Sequence, residues 1–199
     1  MANGMSIPAE QLPAKLATEC GVFQLGSGAP GALNALTCRS QRIALPKGSF
    51  NRVYLLAAAT ADTTGEFAAG ASKATFEVPE WTGFIGQYDD RVWGPGVNNL
   101  TGLKAGFIKR TPVAWFSTHR HIPEGNDPYH FSYLFKFSLP IASVTDTLVL
   151  PANDKIKVFA VNVARSSAED VVAAQPLYDD FANWGPVTLR PRESTPQPK

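Results

Sequence analysis

Hydrophobic residues recur along this chain in short runs that are separated by glycine, proline and small polar residues. The run at residues 51–59 (NRVYLLAAA) is almost continuous, which predicts a central strand buried on both faces. Alternation at residues 132–137 predicts a strand with one exposed face. The alternating residues belong to a strand predicted over 131–139. Further strands are predicted at residues 21–25, 66–69, 74–78, 107–109, 113–119, 147–150 and 156–164.

Helix signals are weak in this sequence. Residues 167–174 begin with a serine cap and early acids, but the segment is short and fits a loop equally well. Residues 79–104 form a long stretch that is expected to be irregular. The element spacing and turn chemistry therefore predict an all-β fold, an antiparallel β-sandwich or jelly roll. We expect one domain over residues 1–184 and a proline-rich tail or linker over 185–199.

Composition narrows the class of protein. With 199 residues, 44% of them hydrophobic and 18% charged, the chain is long enough and apolar enough for a well-buried core. A net charge of +1 gives no general attraction to nucleic acid or to an anionic membrane, so neither is an expected partner. No apolar run approaches the roughly 20 residues that span a bilayer, and the first residues lack signal-peptide features.

The two cysteines, Cys20 and Cys38, flank a glycine-rich segment. Two interpretations stay open. They form a disulfide across neighbouring strands, which suits an oxidising compartment, or they are two buried free thiols.

Catalytic motifs are missing from the sequence. It contains no phosphate-binding glycine loop, GxSxG elbow, HExxH pair or CxxC pair. The loop acids Glu80, Asp89, Asp90 and Glu124 show no spacing that would pair two carboxylates across a sugar. We therefore expect no complete catalytic site within this chain.

An aromatic and polar cluster at residues 81–93 (WTGFIGQYDDRVW) is the first candidate site. Aromatic faces stack on sugar rings, while amides, carboxylates and guanidinium groups bind the hydroxyls. The alternative is that the aromatics anchor a long loop and that Asp90 and Arg91 form a local ion pair. The candidate sugar-binding residues here are Trp81, Gln87, Tyr88, Asp89, Arg91 and Trp93.

A histidine-rich segment at residues 115–121 (WFSTHRH) is the second candidate site. On a strand, His119 and His121 point to the same side. Together with Arg120 they are candidate sugar-binding residues. With His130 as a third ligand they form a possible transition-metal site, although histidines that hydrogen-bond loop carbonyls or line a metal-free pocket explain the pattern more simply.

Several ordered segments resemble a known domain. They are IPAEQLP (7–13), FQLG (23–26), NAL (34–36), IALPKGSFNRVYLLAAA (43–59), residues 81–93, GFIKRTPVAWFSTHRH (106–121), YLF (133–135), LPANDKIKVFAVNV (150–163) and QPLY (175–178). In this order they resemble the C-terminal β-domain of bacterial glycoside hydrolases of family 38, the α-mannosidases.

The resemblance implies a galactose-binding-like β-sandwich that follows a catalytic domain. In that family the zinc ion and the aspartate nucleophile belong to the catalytic domain, and no segment here matches those motifs. The implied function is a non-catalytic carbohydrate-binding accessory domain, with a glycan and the catalytic domain as partners and a periplasmic or secreted location. The alternatives are a structural domain that packs on the catalytic domain, or an independent metal-dependent enzyme that uses His119, His121 and His130.

Overall fold

A computed structural model describes residues 4–83, 90–104, 111–128, 130–142, 144–165 and 187–188. The chain divides into two compact units, Met1–Phe84 with Lys109–Val171 and Ile85–Ile108 with Val172–Lys199. The division into one domain at 1–184 and a tail at 185–199 stays a prediction. A short strand at Val187–Thr188 lies within the predicted tail.

All regular secondary structure in the described residues is β-strand, and no helix among them is long and apolar enough to cross a membrane. The strands are β1 (Lys15–Thr18), β2 (Gly21–Gln24), β3 (Leu36–Thr37), β4 (Arg42–Ala44), β5 (Arg52–Ala59), β6 (Thr63–Ala69), β7 (Ser72–Val78), β8 (Thr82–Gly83), β9 (Asp90–Trp93), β10 (Leu100–Lys104), β11 (Val113–Phe116), β12 (His119–Ile122), β13 (Gly125–Pro128), β14 (Phe131–Pro140), β15 (Thr147–Val149), β16 (Ile156–Ala164) and β17 (Val187–Thr188).

The central strand of the first unit is β5. It pairs antiparallel with β14 on one side and with β16 on the other, and β11 and β3 extend the sheet in the order β11-β14-β5-β16-β3. Every β5 residue after Arg52 is buried. The prediction of a strand buried on both faces is therefore confirmed.

A second sheet, in the order β4-β15-β6-β7, faces the first across the main core. Phe67 from β6 is fully buried, and Phe76 contacts both Phe67 and Phe137, with ring centroids 5.6 Å and 5.2 Å apart. A methyl group on Gly65 would lie only 2.5 Å from Ile156 Cδ1, so β6 approaches the facing sheet closely because this position lacks a side chain. The predicted antiparallel β-sandwich is confirmed.

The hairpin β1-β2 covers the other face of the central sheet. Leu16 and Phe23 from the hairpin form a second buried cluster with Tyr54 and Leu56 of β5, and Trp115 packs against it. One prediction is wrong: the alternating strand at 132–137 has no fully exposed face, because residues 132–135 and Phe137 of β14 are buried and Ser132 is covered by Ser117 and the His119 carbonyl.

Two further predictions differ from the structure. The strand predicted over 113–119 is divided into two. The strand β11 ends at Phe116, the buried Ser117 still donates its backbone N–H to the Ser132 carbonyl of β14, and β12 begins at His119 and pairs with β13 instead. The stretch 79–104 contains β8, β9 and β10 and is not irregular throughout. The predicted strand at 107–109 and the ambiguous segment at 167–174 lie outside the described residues.

The second unit contains a small antiparallel sheet in the order β17-β10-β9. The turn between β9 and β10 is closed by a hydrogen bond from the Gly94 N–H to the Asn99 carbonyl, and Asn98 in this turn has a left-handed backbone with a φ of 57°. The turn therefore has its own local hydrogen bonds.

The two cysteines are free thiols. Cys38 is fully buried in the main core, and burial raises its pKa to about 12. Cys20 is half-buried, and its Sγ accepts a hydrogen bond from Lys136 Nζ at 3.2 Å. The cysteines are therefore free, as in the second of the two interpretations, but only Cys38 is buried as that interpretation expected.

This difference predicts selective alkylation. Iodoacetamide at about pH 8 is expected to modify Cys20 and to spare Cys38 in the folded protein, because the thiolate is the reacting species and Cys38 is both protonated and inaccessible. Intact mass spectrometry checks this, with one adduct on the native protein and two after unfolding in urea. Two adducts on the native protein would contradict it.

The core also predicts a contrast between two phenylalanines. Phe67→Ala is expected to lower the free energy of unfolding by about 3–5 kcal/mol, because it leaves a cavity between the sheets. The control Phe116→Ala removes a ring that is 53% exposed and is expected to cost much less. Urea unfolding of both variants measures the difference, and equal losses would show that Phe67 is not a core anchor.

Candidate functional site

The histidine-rich segment forms a β-hairpin beside the sandwich. Strands β12 and β13 pair from His119–Pro128 to Ile122–Gly125, and Gly125 at the turn has a positive φ of 134°, which favours glycine. On its other edge, His121 of β12 exchanges two backbone hydrogen bonds with Ser6, at 3.0 Å and 2.9 Å. The N-terminal segment therefore acts as a third strand-like partner of the hairpin.

A turn just after Ser6 carries two side chains back to the hairpin. Backbone hydrogen bonds from Gln11 to Pro8 and from Leu12 to Ala9 close this turn. The Gln11 side chain then accepts a hydrogen bond from the Thr118 N–H at 3.0 Å, and its Nε2 lies 3.2 Å from His119 Nδ1. These contacts hold the turn and the start of β12 together.

Glu10, from the same turn, lies between the two histidines of β12. Its Oε1 is 3.0 Å from His119 Nε2 and 3.1 Å from His121 Nε2, and the two imidazole centroids are 5.4 Å apart. A hydrogen bond from its own backbone N–H, followed by those of the two imidazoles, holds the pKa of Glu10 below its usual value against an opposing effect of burial. The predicted alignment of His119 and His121 on one side is confirmed.

The opposite side of the hairpin carries a different cluster. Asp127 Oδ2 accepts from Arg120 Nε at 2.9 Å and lies 2.7 Å from its Nη2, while Asp127 Oδ1 lies 3.1 Å from His130 Nδ1. Hydrogen bonding from Arg120, and next from His130, keeps the pKa of Asp127 below its usual value, although desolvation opposes this.

This cluster removes His130 from the possible metal site that the sequence suggested with His119 and His121. Because side chains alternate across a strand, Arg120 and its partner Asp127 point away from His119 and His121. His130 joins Asp127 on that side. The carboxylate of Glu10, and not His130, lies beside the two histidines.

Two buried serines fix the hairpin to the sandwich. Ser117 Oγ donates to the His119 carbonyl at 2.5 Å and accepts from the Ser132 N–H at 3.0 Å. Because Ser132 belongs to β14, these hydrogen bonds attach the start of β12 to the central sheet.

A pocket of about 590 Å³ lies next to this cluster. Its walls are the N-terminal segment at residues 6–12, the loop at residues 28–35, and Thr37, Lys157 and Phe159 of β3 and β16, with His121 also on its surface. Lys157 Nζ donates to Thr37 Oγ1 at 3.0 Å and to the Asp154 carbonyl at 2.6 Å, which accounts for two of its three ammonium protons. The pocket is of a size that takes small organic ligands.

Comparison with protein families identifies the fold independently. Residues 1–167 match the model of the AziU2-like beta-sandwich domain. The chain belongs to this family. No curated protein matches the sequence.

For this AziU2-like domain, the family match agrees with the β-sandwich part of the expected resemblance. It gives no support to the narrower expectation of a family 38 mannosidase C-terminal domain.

The two tryptophan candidates belong to different units and differ in exposure. Trp81 is 2% exposed and lies in the main core, where its backbone N–H donates to the Ala59 carbonyl. Its indole therefore offers no free face to a sugar, and its position agrees with the alternative that it anchors the chain. Trp93, in the second unit, is 55% exposed and keeps a free ring surface.

The polar candidates of the same segment are less completely placed. Arg91 lies in β9, opposite Leu103 of β10, and the position of its side chain is outside the description. Gln87, Tyr88 and Asp89 lie outside the described residues. Their role in sugar binding stays a prediction.

Sequence reasoning missed Glu10 and Lys157. Glu10 is 109 and 111 residues away from the histidines that it contacts, and no periodicity links positions so far apart. Lys157 lies in a strand that was correctly predicted, but only the fold shows that it lines the same pocket as His121.

The contacts of Gln11 predict a measurable role in stability. Gln11→Ala is expected to lower the free energy of unfolding by about 1–2 kcal/mol, because it removes the side-chain hydrogen bonds to Thr118 and His119. Urea unfolding measures this loss. The control Gln24→Ala removes an exposed glutamine of β2 and is expected to have little effect. Equal effects would argue against a tie between the turn and the hairpin.

Proposed function

We propose that this domain is a non-catalytic carbohydrate-binding accessory domain of a glycoside hydrolase resembling the α-mannosidases. The observation that carries the proposal is the pocket whose lining includes His121, Lys157 and Phe159. It combines the aromatic ring of Phe159 and the ammonium group of Lys157, both from β16, with the imidazole of His121 from β12.

The chemistry of these groups favours a polyhydroxylated ligand. The ring of Phe159 supplies an apolar surface for the C–H face of a sugar. The remaining ammonium proton of Lys157 and the imidazole of His121 supply hydrogen bonds to hydroxyl groups. Loop backbone at residues 28–35 adds further donors and acceptors.

The absence of acidic residues in this pocket supports a binding role without hydrolysis. Glycosidases use two carboxylates about 5–9.5 Å apart on either side of the scissile bond. Among the described residues that line the pocket, none is an aspartate or a glutamate. A bound sugar would therefore meet no acid and base pair there.

A structural role on a catalytic partner is the second candidate function. It is favoured by Val113 and Phe116 of β11, which expose 43% and 53% of their surfaces at the end of the described sheet order. Such a domain would pack on its partner without needing an occupied pocket.

Sugar titration tests the first proposal. Isothermal titration of the purified protein with mannose, galactose, glucose and short mannose-containing glycans is expected to give a dissociation constant in the micromolar to millimolar range, about −8 to −4 kcal/mol. Lys157→Ala is expected to weaken binding about tenfold, because it removes a charged hydrogen-bond donor from the pocket.

Two control variants locate the site. Lys155→Ala makes the same change of charge outside the pocket lining and is expected to bind like the unchanged protein. Trp93→Ala is expected to retain affinity for a monosaccharide, because Trp93 does not line the pocket. A loss in Trp93→Ala with none in Lys157→Ala would move the site to the aromatic segment. No heat with any glycan would reject sugar binding and leave the structural role.

A further inference from the structure

We propose that Glu10, His119 and His121 form a binding site for a divalent transition-metal ion of the zinc type. The site goes beyond carbohydrate binding and does not depend on it. Among the described residues, these three form a group whose ligand atoms all lie within 4.8 Å of one another.

The ligand atoms suit such an ion in kind and in number. Two imidazoles and one carboxylate are a set that holds zinc at sites with an open fourth position, whereas calcium and magnesium prefer oxygen ligands. The sequence alone offered His130 as the third ligand. The structure replaces it with Glu10, which contacts both histidines.

The distances from Glu10 Oε1 to the two histidine Nε2 atoms are close to those between the ligand atoms of a zinc ion. Ligand atoms about 2.0–2.1 Å from a tetrahedral zinc ion lie roughly 3.3–3.4 Å apart. Glu10 Oε1 now lies 3.0 Å from His119 Nε2 and 3.1 Å from His121 Nε2. These two separations need to grow by a few tenths of an ångström, and the two imidazole Nε2 atoms, which lie within 4.8 Å of each other, need to reach the same spacing. Glu10, whose side chain is 53% exposed, is the ligand freest to move.

Neighbouring groups already hold the ligands in place. His121 is fixed by its backbone pairing with Ser6, and His119 is fixed by the Ser117 hydrogen bond to its carbonyl. When an ion occupies Nε2 of His119, the ring proton moves to Nδ1, and the hydrogen bond that Nδ1 accepts from the Gln11 amide is given up. Thr118 Oγ1, 3.4 Å away, is then available as its acceptor.

The position of the site connects it with the pocket. His121 is both a proposed ligand and a lining residue of the pocket, so a bound ion would lie beside that cavity. An ion here would also link the N-terminal turn to the hairpin. We therefore expect metal binding to stabilise the fold.

The test uses the whole chain without a polyhistidine tag, freed of metal with a chelator and then dialysed. Elemental analysis after equilibration with zinc chloride is expected to give one ion per chain. A zinc concentration about 100 times the dissociation constant is expected to raise the melting temperature by about 5–10 °C. Cobalt(II) is expected to give visible absorption bands of a four-coordinate centre.

Variants distinguish this site from other histidine sites. His119→Gln and His121→Gln are each expected to weaken zinc binding by about 100-fold or more, since even loss of an outer partner of a ligand costs about 10–100-fold. Glu10→Gln keeps the shape of the side chain and removes its charge, and it is expected to cause a similar loss. The matched control His130→Gln removes the histidine on the opposite face and is expected to bind zinc normally.

The outcomes are decisive because Glu10 is an exposed turn residue whose replacement leaves the sandwich core untouched. Circular dichroism of Glu10→Gln verifies that it is folded. Unchanged zinc binding in that variant would overturn the assignment of Glu10. A loss in His130→Gln equal to that in His119→Gln would overturn the ligand set, and no bound zinc with no change in melting temperature would overturn the site.

Discussion

The burial of β5 on both faces is the constraint on which the rest of the first unit depends. Its alternate residues fill two different cores, with Val53 and Leu55 toward the facing sheet and Tyr54 and Leu56 toward the β1-β2 hairpin. A strand in this position must pair on both edges, because unpaired backbone groups away from water are costly. The partners β14 and β16 satisfy it, and these two strands also support the candidate sites.

The parts of the fold that sequence pattern predicts are those where burial is nearly complete. The apolar runs of β5 and β16 locate those strands to within a residue, and the paired runs of β6 and β7 predict their hairpin. The alternation in β14 misleads, because contacts with other parts of the chain cover the face that its polar residues suggest is exposed. Ser132 bonds to Ser117 and to the His119 carbonyl, and the Lys136 ammonium bonds to Cys20. Local pattern records the chemistry of a face and not what later covers it.

The same limit explains the mixed result for the candidate sites. Trp81 has the composition of a sugar-binding residue, yet the backbone bonds that join it to the ends of β5 and β14 place its indole in the core. His119 and His121 were identified because strand geometry puts alternate residues on one side. Their third neighbour is Glu10, and it was not identifiable because the contact depends on how the N-terminal segment pairs with β12.

That pairing is what unites the two proposed sites. The backbone bonds between Ser6 and His121 fix the N-terminal segment along β12, and the turn that follows presents Glu10 to the histidines while Ile7, Ala9 and Leu12 form one wall of the pocket. An antiparallel sandwich alone would leave the outer edge of β12 open to solvent or to another chain. Here the edge is covered by a short segment of the same chain. Both proposed sites therefore lie where that segment meets the hairpin, at the margin of the sandwich.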